Sequence, residues 1–119
     1  MTKIAFTLST CDTSKRILKQ ANITNDNFTI RDIKAESITE SELDRMKEMQ
    51  DSYEALFSRR AQKYKSMGLK NQNLTEEDYR KLILQEYTFL KRPVIIIDNE
   101  IFVGNSKKNI EKLMLKIQA

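Results

Sequence analysis

The strongest constraint on the fold is a short β-forming segment that runs straight into a helix start. KIAFTL, residues 3 to 8, is apolar and β-leaning, and Ser, Thr, Cys and Asp follow at once. The pattern predicts a strand at 3–8 and a helix from about Asp12 to Ala21, whose apolar positions Ile17, Leu18 and Ala21 lie on one face. NFTIRDI, residues 27 to 33, then alternates Phe28, Ile30 and, less cleanly, Ile33, as a second strand does. Strand, helix and strand between residues 3 and 33 make a βαβ unit, and its crossover requires the two strands to be parallel.

From about residue 35 to 91 the periodicity is helical. ITESELDRMKEM places Thr39 and Glu42 at capping-box spacing, LTEEDYRKLILQEY opens at Thr75 with acidic residues in its first turn, and Gly68 closes the helix before it. RPVIIIDNEIFVG, residues 92 to 104, reads as two strands about a tight turn at Asp98 and Asn99. NSKKNIEKLMLKI closes the chain as an amphipathic helix with Ile110, Leu113, Leu115 and Ile117 expected mostly inward. The expected order is β-α-β, a helical insertion, then β-β-α: an α/β chain with a mixed four-stranded sheet. At 119 residues it should form a single domain, residues 1–119, with the insertion at about 35–91.

Composition narrows the function. There are only two glycines and one proline, which argues against linkers or a disordered arm. No apolar run reaches the roughly 18 residues of a membrane helix and no signal peptide is visible, so no membrane association and a cytoplasmic location are expected. The net charge of +4 comes from Lys and Arg largely interleaved with Asp and Glu; even SRRAQKYK, residues 58 to 65, reads as a solvated helix face, and nucleic-acid binding is not expected. With one cysteine and no histidine, an internal disulfide and a structural zinc site, which needs about four Cys or His ligands, are both excluded.

The single cysteine, Cys11, falls where the first strand feeds the first helix, among Ser9, Thr10, Asp12, Thr13 and Ser14. A core cysteine belongs in an apolar stripe, whereas this one lies in a polar loop. Unpaired N–H groups at a helix start stabilise a thiolate, the nucleophilic form of cysteine. Lys15 and Arg16 add positive charge one turn on, Asp12 opposes them, and Ser14, at Cys-x-x-Ser spacing, can donate a hydroxyl hydrogen bond to the sulfur. Cys11 and Ser14 are therefore candidate catalytic residues, with Thr10, Asp12, Thr13 and Lys15 lining the approach of a substrate or thiol.

CDTS after the first strand, LFSRRAQKYKSMGL in mid-chain, KRPVIII before the hairpin and VGNSKKNI before the last helix, in that order and spacing, resemble the arsenate reductase-like (ArsC, Spx and YffB) family of thioredoxin-fold proteins. The resemblance implies a thioredoxin-like fold and a thiol oxidoreductase in which Cys11 is the single nucleophile. It implies that Pro93 of the Arg-Pro motif, usually cis, faces the cysteine, and that Arg92 and a mid-chain arginine, Arg60 or the adjacent Arg59, hold negative charge. Arginine suits this role because its planar guanidinium grips oxyanions through paired hydrogen bonds. One of these arginines has an alternative surface partner in Glu54 or Glu77.

The implied substrate is a small anion such as arsenate, or a mixed disulfide. The mixed intermediate would be resolved by glutathione or a glutaredoxin as co-substrate, with no bound cofactor, in a protein expected to be a monomer. Two family features are replaced: Thr7 stands for a histidine four residues before the cysteine, and Gly104, Asn105 and Ser106 stand where relatives carry a third arginine. The resemblance also carries a second role, that of an Spx-like transcription regulator binding RNA polymerase, although Ser14 removes the Cys-x-x-Cys switch that goes with it.

Overall fold

In a computed structural model that describes residues 2–118, the chain divides into two units, one comprising residues up to Glu36 together with Arg92 onward and the other Ser37–Lys91. The first contains β1 (Lys3–Thr7), α1 (Asp12–Gln20), β2 (Thr29–Asp32), β3 (Val94–Ile97), β4 (Glu100–Val103) and α5 (Lys107–Gln118). The second contains α2 (Glu40–Gln50), α3 (Gln62–Ser66) and α4 (Glu76–Gln85), joined by short 3₁₀ turns.

The sheet is mixed, with strand order β2-β1-β3-β4. β1 pairs parallel with β2, as the crossover demands, and antiparallel with β3, which pairs antiparallel with β4. Strand alternation sends Ala5, Ile95 and Ile97 to one face, where they pack with Ile17, Leu18 and Ala21 from and after α1, with Phe28 and Phe102, and with Leu113 of α5. Two helices thus cover one face of the sheet. All four residues of β3, an interior strand of the sheet, are buried.

The β3–β4 turn falls at Asp98 and Asn99. Asp98 adopts a φ of 52°, a conformation Asp tolerates better than most residues, and its carboxylate accepts the Thr2 N–H at 3.1 Å while its own N–H donates to the Thr2 carbonyl at 2.7 Å. In α5 one expectation is corrected. Leu115 is 70% exposed, whereas Met114 packs on the core beside Ile110 and Ile117. Positions 110, 113, 114 and 117 follow the helical i, i+3, i+4, i+7 pattern; Leu115 is two residues past Leu113 and therefore on the opposite side.

In the helical unit, α2 and α4 both start in complete capping boxes. The Thr39 hydroxyl accepts the Glu42 N–H at 3.1 Å while the Thr39 N–H donates to the Glu42 carboxylate at 2.9 Å, and Thr75 and Asp78 exchange the same bonds at 3.2 and 2.9 Å. Arg80 of α4 clasps Asp44 of α2 through two nitrogens at 2.8 and 3.2 Å. Phe57, fully buried, stacks on Phe89 at 5.0 Å and meets Tyr79 at 4.9 Å and Tyr64 at 6.0 Å, an aromatic cluster that closes this unit's core. Gly68 takes a left-handed φ of 67° just after α3, which lets the chain turn there.

The two leucines of α5 make opposite predictions. Leu113→Ala should cost about 2–5 kcal/mol in chemical denaturation, as buried leucine truncations do. Leu115→Ala should change stability by about 0.5 kcal/mol or less.

Candidate active site

A tight turn, Leu8 to Cys11, connects β1 to α1, closed by the Cys11 N–H donating to the Leu8 carbonyl at 2.9 Å. Cys11 is the N-cap residue of α1, with φ −101° and ψ 107°, and its carbonyl accepts the Lys15 N–H at 3.1 Å. At this position a Ser or Asp side chain ordinarily accepts an N–H from the first helical turn. Here a half-buried sulfur occupies it, free of any disulfide.

The electrostatics follow from that placement. Burial raises the Cys11 thiol's pKa, but the Ser14 hydroxyl, the Ser14 backbone N–H and the Arg92 guanidinium oppose it, and the net shift is downward from the usual cysteine value. Ser14 is completely buried and its hydroxyl has no nitrogen or oxygen partner. It does not form a hydrogen bond of full geometry with the neutral thiol, a weak acceptor; the thiolate accepts far more strongly and is the form the hydroxyl favours. A dry hydroxyl left unspent beside the sulfur is costly in folding terms and useful only once the sulfur is charged.

Arg92 reaches the thiol through sheet register. Phe6 of β1 lies opposite Val94 of β3, so the Arg92–Pro93 segment entering β3 comes alongside the chain leaving β1. The Arg92–Pro93 peptide is cis, Pro93 is buried, and its carbonyl accepts the Gly104 N–H at 2.9 Å. Around the sulfur, Thr10, Asp12 and Lys15 are exposed and Thr13 is half-buried. Asp12 opens the first turn of α1, where an acidic side chain suits the helix dipole.

Arg59 and Arg60 belong to the helical unit, just before α3. Arg59 donates to the Glu54 carboxylate at 2.7 Å and to the Tyr79 hydroxyl at 3.0 Å. Arg60 has an exposed side chain, and its N–H donates to the Ser58 hydroxyl at 3.4 Å.

One residue of the loop's surroundings, Asp32, is not singled out by the sequence. Asp32, at the end of β2, accepts the Lys34 N–H at 3.1 Å and, more loosely, the Ser9 N–H at 3.5 Å. Hydrogen bonding led by the Ser9 side chain holds its carboxyl below the ordinary aspartate range. Asp32 therefore braces the turn that carries Cys11. The only available signal was an acidic residue ending a strand, which sequence alone cannot pair with Ser9. Thr7, where relatives carry histidine, is buried and its hydroxyl has no hydrogen-bond partner.

Because the thiolate is the reactive form, a lowered pKa moves the half-rise of its alkylation rate to lower pH. The iodoacetamide rate of Cys11 should half-rise below the value of about 8.5 typical of free cysteine. Arg92→Ala and Ser14→Ala should each shift that midpoint upward. A midpoint at or above 8.5 in the unmodified protein would remove the case for an activated thiol.

Comparison with known proteins bears on the family and the fold. The family model described as the ArsC family matches residues 6–113. An ArsC family related protein from Bacteroides fragilis superposes with a TM-score of 0.77 at 24% identity, over 95% of this chain and 99% of that one. An arsenate reductase (ArsC) related protein from Brucella melitensis gives 0.70 at 24% identity, over 94% and 93%. An arsenate reductase from Vibrio cholerae gives 0.72 at 17% identity, over 98% of each. No curated protein sequence matches significantly. The structural likenesses establish the thioredoxin-like fold of the sheet and its helices, and with a family model spanning most of its length the chain belongs to the ArsC family.

Proposed function

We propose that the protein is a monothiol oxidoreductase in which Cys11 is the nucleophile. The observation that carries this reading is the placement of the sole cysteine at the N-cap of α1, where Ser14 and Arg92 lower its pKa. The Cys11 thiolate attacks one sulfur of a disulfide substrate, a new S–S bond forms, and the other sulfur leaves as a thiolate with the electron pair of the broken bond. The Arg92 guanidinium offsets the negative charge on the attacking sulfur. Since the chain has no second cysteine, an external thiol, glutathione or a glutaredoxin, must attack the mixed disulfide and release Cys11.

Membership of the ArsC family and the likeness to proteins named arsenate reductases support arsenate as an alternative first substrate. The replacement of a histidine by Thr7 and of an arginine by the Gly104–Ser106 segment favours the disulfide, because a highly charged oxyanion intermediate would have less electrostatic support. Among the described residues no helix is long and apolar enough to cross a membrane.

Two assays run in parallel separate these substrates: arsenate-dependent oxidation of glutathione, and reduction of a glutathione mixed disulfide. Activity in the second alone is the expected result. Cys11→Ser should abolish turnover in both, and unchanged activity in that variant would overturn the mechanism. Inactivity in both assays, with saturable binding to the C-terminal domain of the RNA polymerase α subunit, would instead assign the regulator role.

A further inference from the structure

The charge of this protein is distributed unevenly. Ser37–Lys91 contains ten Lys and Arg and ten Asp and Glu, whereas the sheet unit contains eleven Lys and Arg and only seven Asp and Glu, so the whole formal charge of +4 resides there. Among the described residues Arg31 pairs with Glu36 and Lys116 with Glu100. On the two helices that share one face of the sheet, Lys15, Arg16, Lys107, Lys108 and Lys112 are exposed, and none is paired with a carboxylate among the described residues.

Their position is more informative than their number. β4 is antiparallel to β3, which is antiparallel to β1, so β4 runs parallel to β1, and Val103 lies in the same row as Val94 and Phe6. α5 therefore begins at the same end of the sheet as α1, the end that carries Cys11, and Gly104 just before it is bonded to Pro93 beside Arg92. Lys107 and Lys108 occupy the first turn of α5, which, like that of the five-residue α3, contains no acidic residue, whereas α1, α2 and α4 each place acidic residues in theirs. Cations at a helix N-terminus oppose the helix dipole and weaken the helix. In α5, unlike in α3, this cost to the helix is incurred at the end of the sheet that carries Cys11.

We propose that the exposed starts of α1 and α5, with Lys15, Arg16, Lys107 and Lys108 at the end of the sheet that carries Cys11, form a docking face for an acidic protein surface that carries the thiol or disulfide exchanging with Cys11. The inference rests on the thiol-exchange reading above and specifies its partner. Complementary charge speeds encounter and orients the two sulfurs, an effect that salt removes. Nucleic acid is disfavoured as the occupant because the cations are few and lie at the end of the sheet that carries the sulfur, and a nucleic acid brings no sulfur to exchange.

The test uses two peptides, Glu-Glu-Cys-Glu-Glu and Gln-Gln-Cys-Gln-Gln, each activated as its 2-pyridyl disulfide. The Cys11 thiolate attacks the peptide sulfur and forms a protein–peptide disulfide; the peptide–pyridyl S–S bond breaks, and pyridine-2-thiolate leaves with the electron pair and is protonated to the coloured thione. At low salt the acidic peptide should react on the order of tenfold faster, the difference vanishing near 0.5 M salt. The double variant K107Q/K108Q should lose most of that preference and keep the rate with the glutamine peptide. K19E, which changes net charge equally at the far end of α1, should retain the preference. Because K107Q/K108Q relieves an unfavourable dipole contact, its Tm should be unchanged or higher, which separates lost docking from lost folding.

Equal rates for the two peptides, or equal losses in K19E and K107Q/K108Q, would overturn the docking face while leaving thiol exchange standing. Failure of Cys11 to react with either peptide would overturn the thiol-exchange reading and this inference with it. Saturable binding of duplex DNA that K107Q/K108Q abolishes, without a peptide preference, would assign the face to nucleic acid and overturn the proposal.

Discussion

The antiparallel pairing of Phe6 with Val94 is the contact on which the rest of the site depends. β1 lies between β2 and β3, and that register fixes what meets at its C-terminal end. From one side the chain leaves β1 into the turn that presents Cys11; from the other it enters β3 through Arg92 and Pro93. A slip of one residue would turn Val94 and Ile96 to the face now occupied by Ile95 and Ile97, exchanging buried sets on both faces of a central strand. The hydrophobic pattern of the core thereby sets the separation of a thiol and a guanidinium that lie far apart in sequence.

The same register extends the site sideways. Because Val103 continues the row of Phe6 and Val94, the last strand delivers α5 to the end of the sheet that α1 starts from. One hydrogen-bonded ladder therefore lines up three things: a helix start that stabilises a thiolate, an arginine that opposes its charge, and a second helix whose first turn is cationic. Burial works against the thiolate, and it is outweighed only because Ser14 and Arg92 are both held in place by packed elements.

Much of this arrangement is legible in the residues. The βαβ unit, the hairpin at Asp98, and the helix starts at Thr39 and Thr75 all follow from local spacing, since capping and strand alternation are decided within a few residues. The candidacy of Cys11 and Ser14 follows as well, because the polar loop around the sulfur and the helix after it are contiguous. Leu115 shows the limit of reading apolar residues without tracking helical phase. Asp32 shows a different limit: it braces the Cys11 turn through Ser9, and only parallel pairing of β2 with β1 brings those residues together.

The sequence by itself determined where the strands and helices begin, that the chain carries one thiol, and that this thiol falls where a strand feeds a helix, because each is settled by composition or by short-range sterics and hydrogen bonding. Tertiary structure alone decided that Arg92 acts on the sulfur, that the Ser14 hydroxyl is buried without another partner, that Arg59 is engaged by Glu54 and Tyr79, and that Lys107 and Lys108 start α5 at the end of the sheet that carries the thiol. These depend on strand order, register and burial, which are collective properties of the packed chain and are not specified by any local stretch of residues.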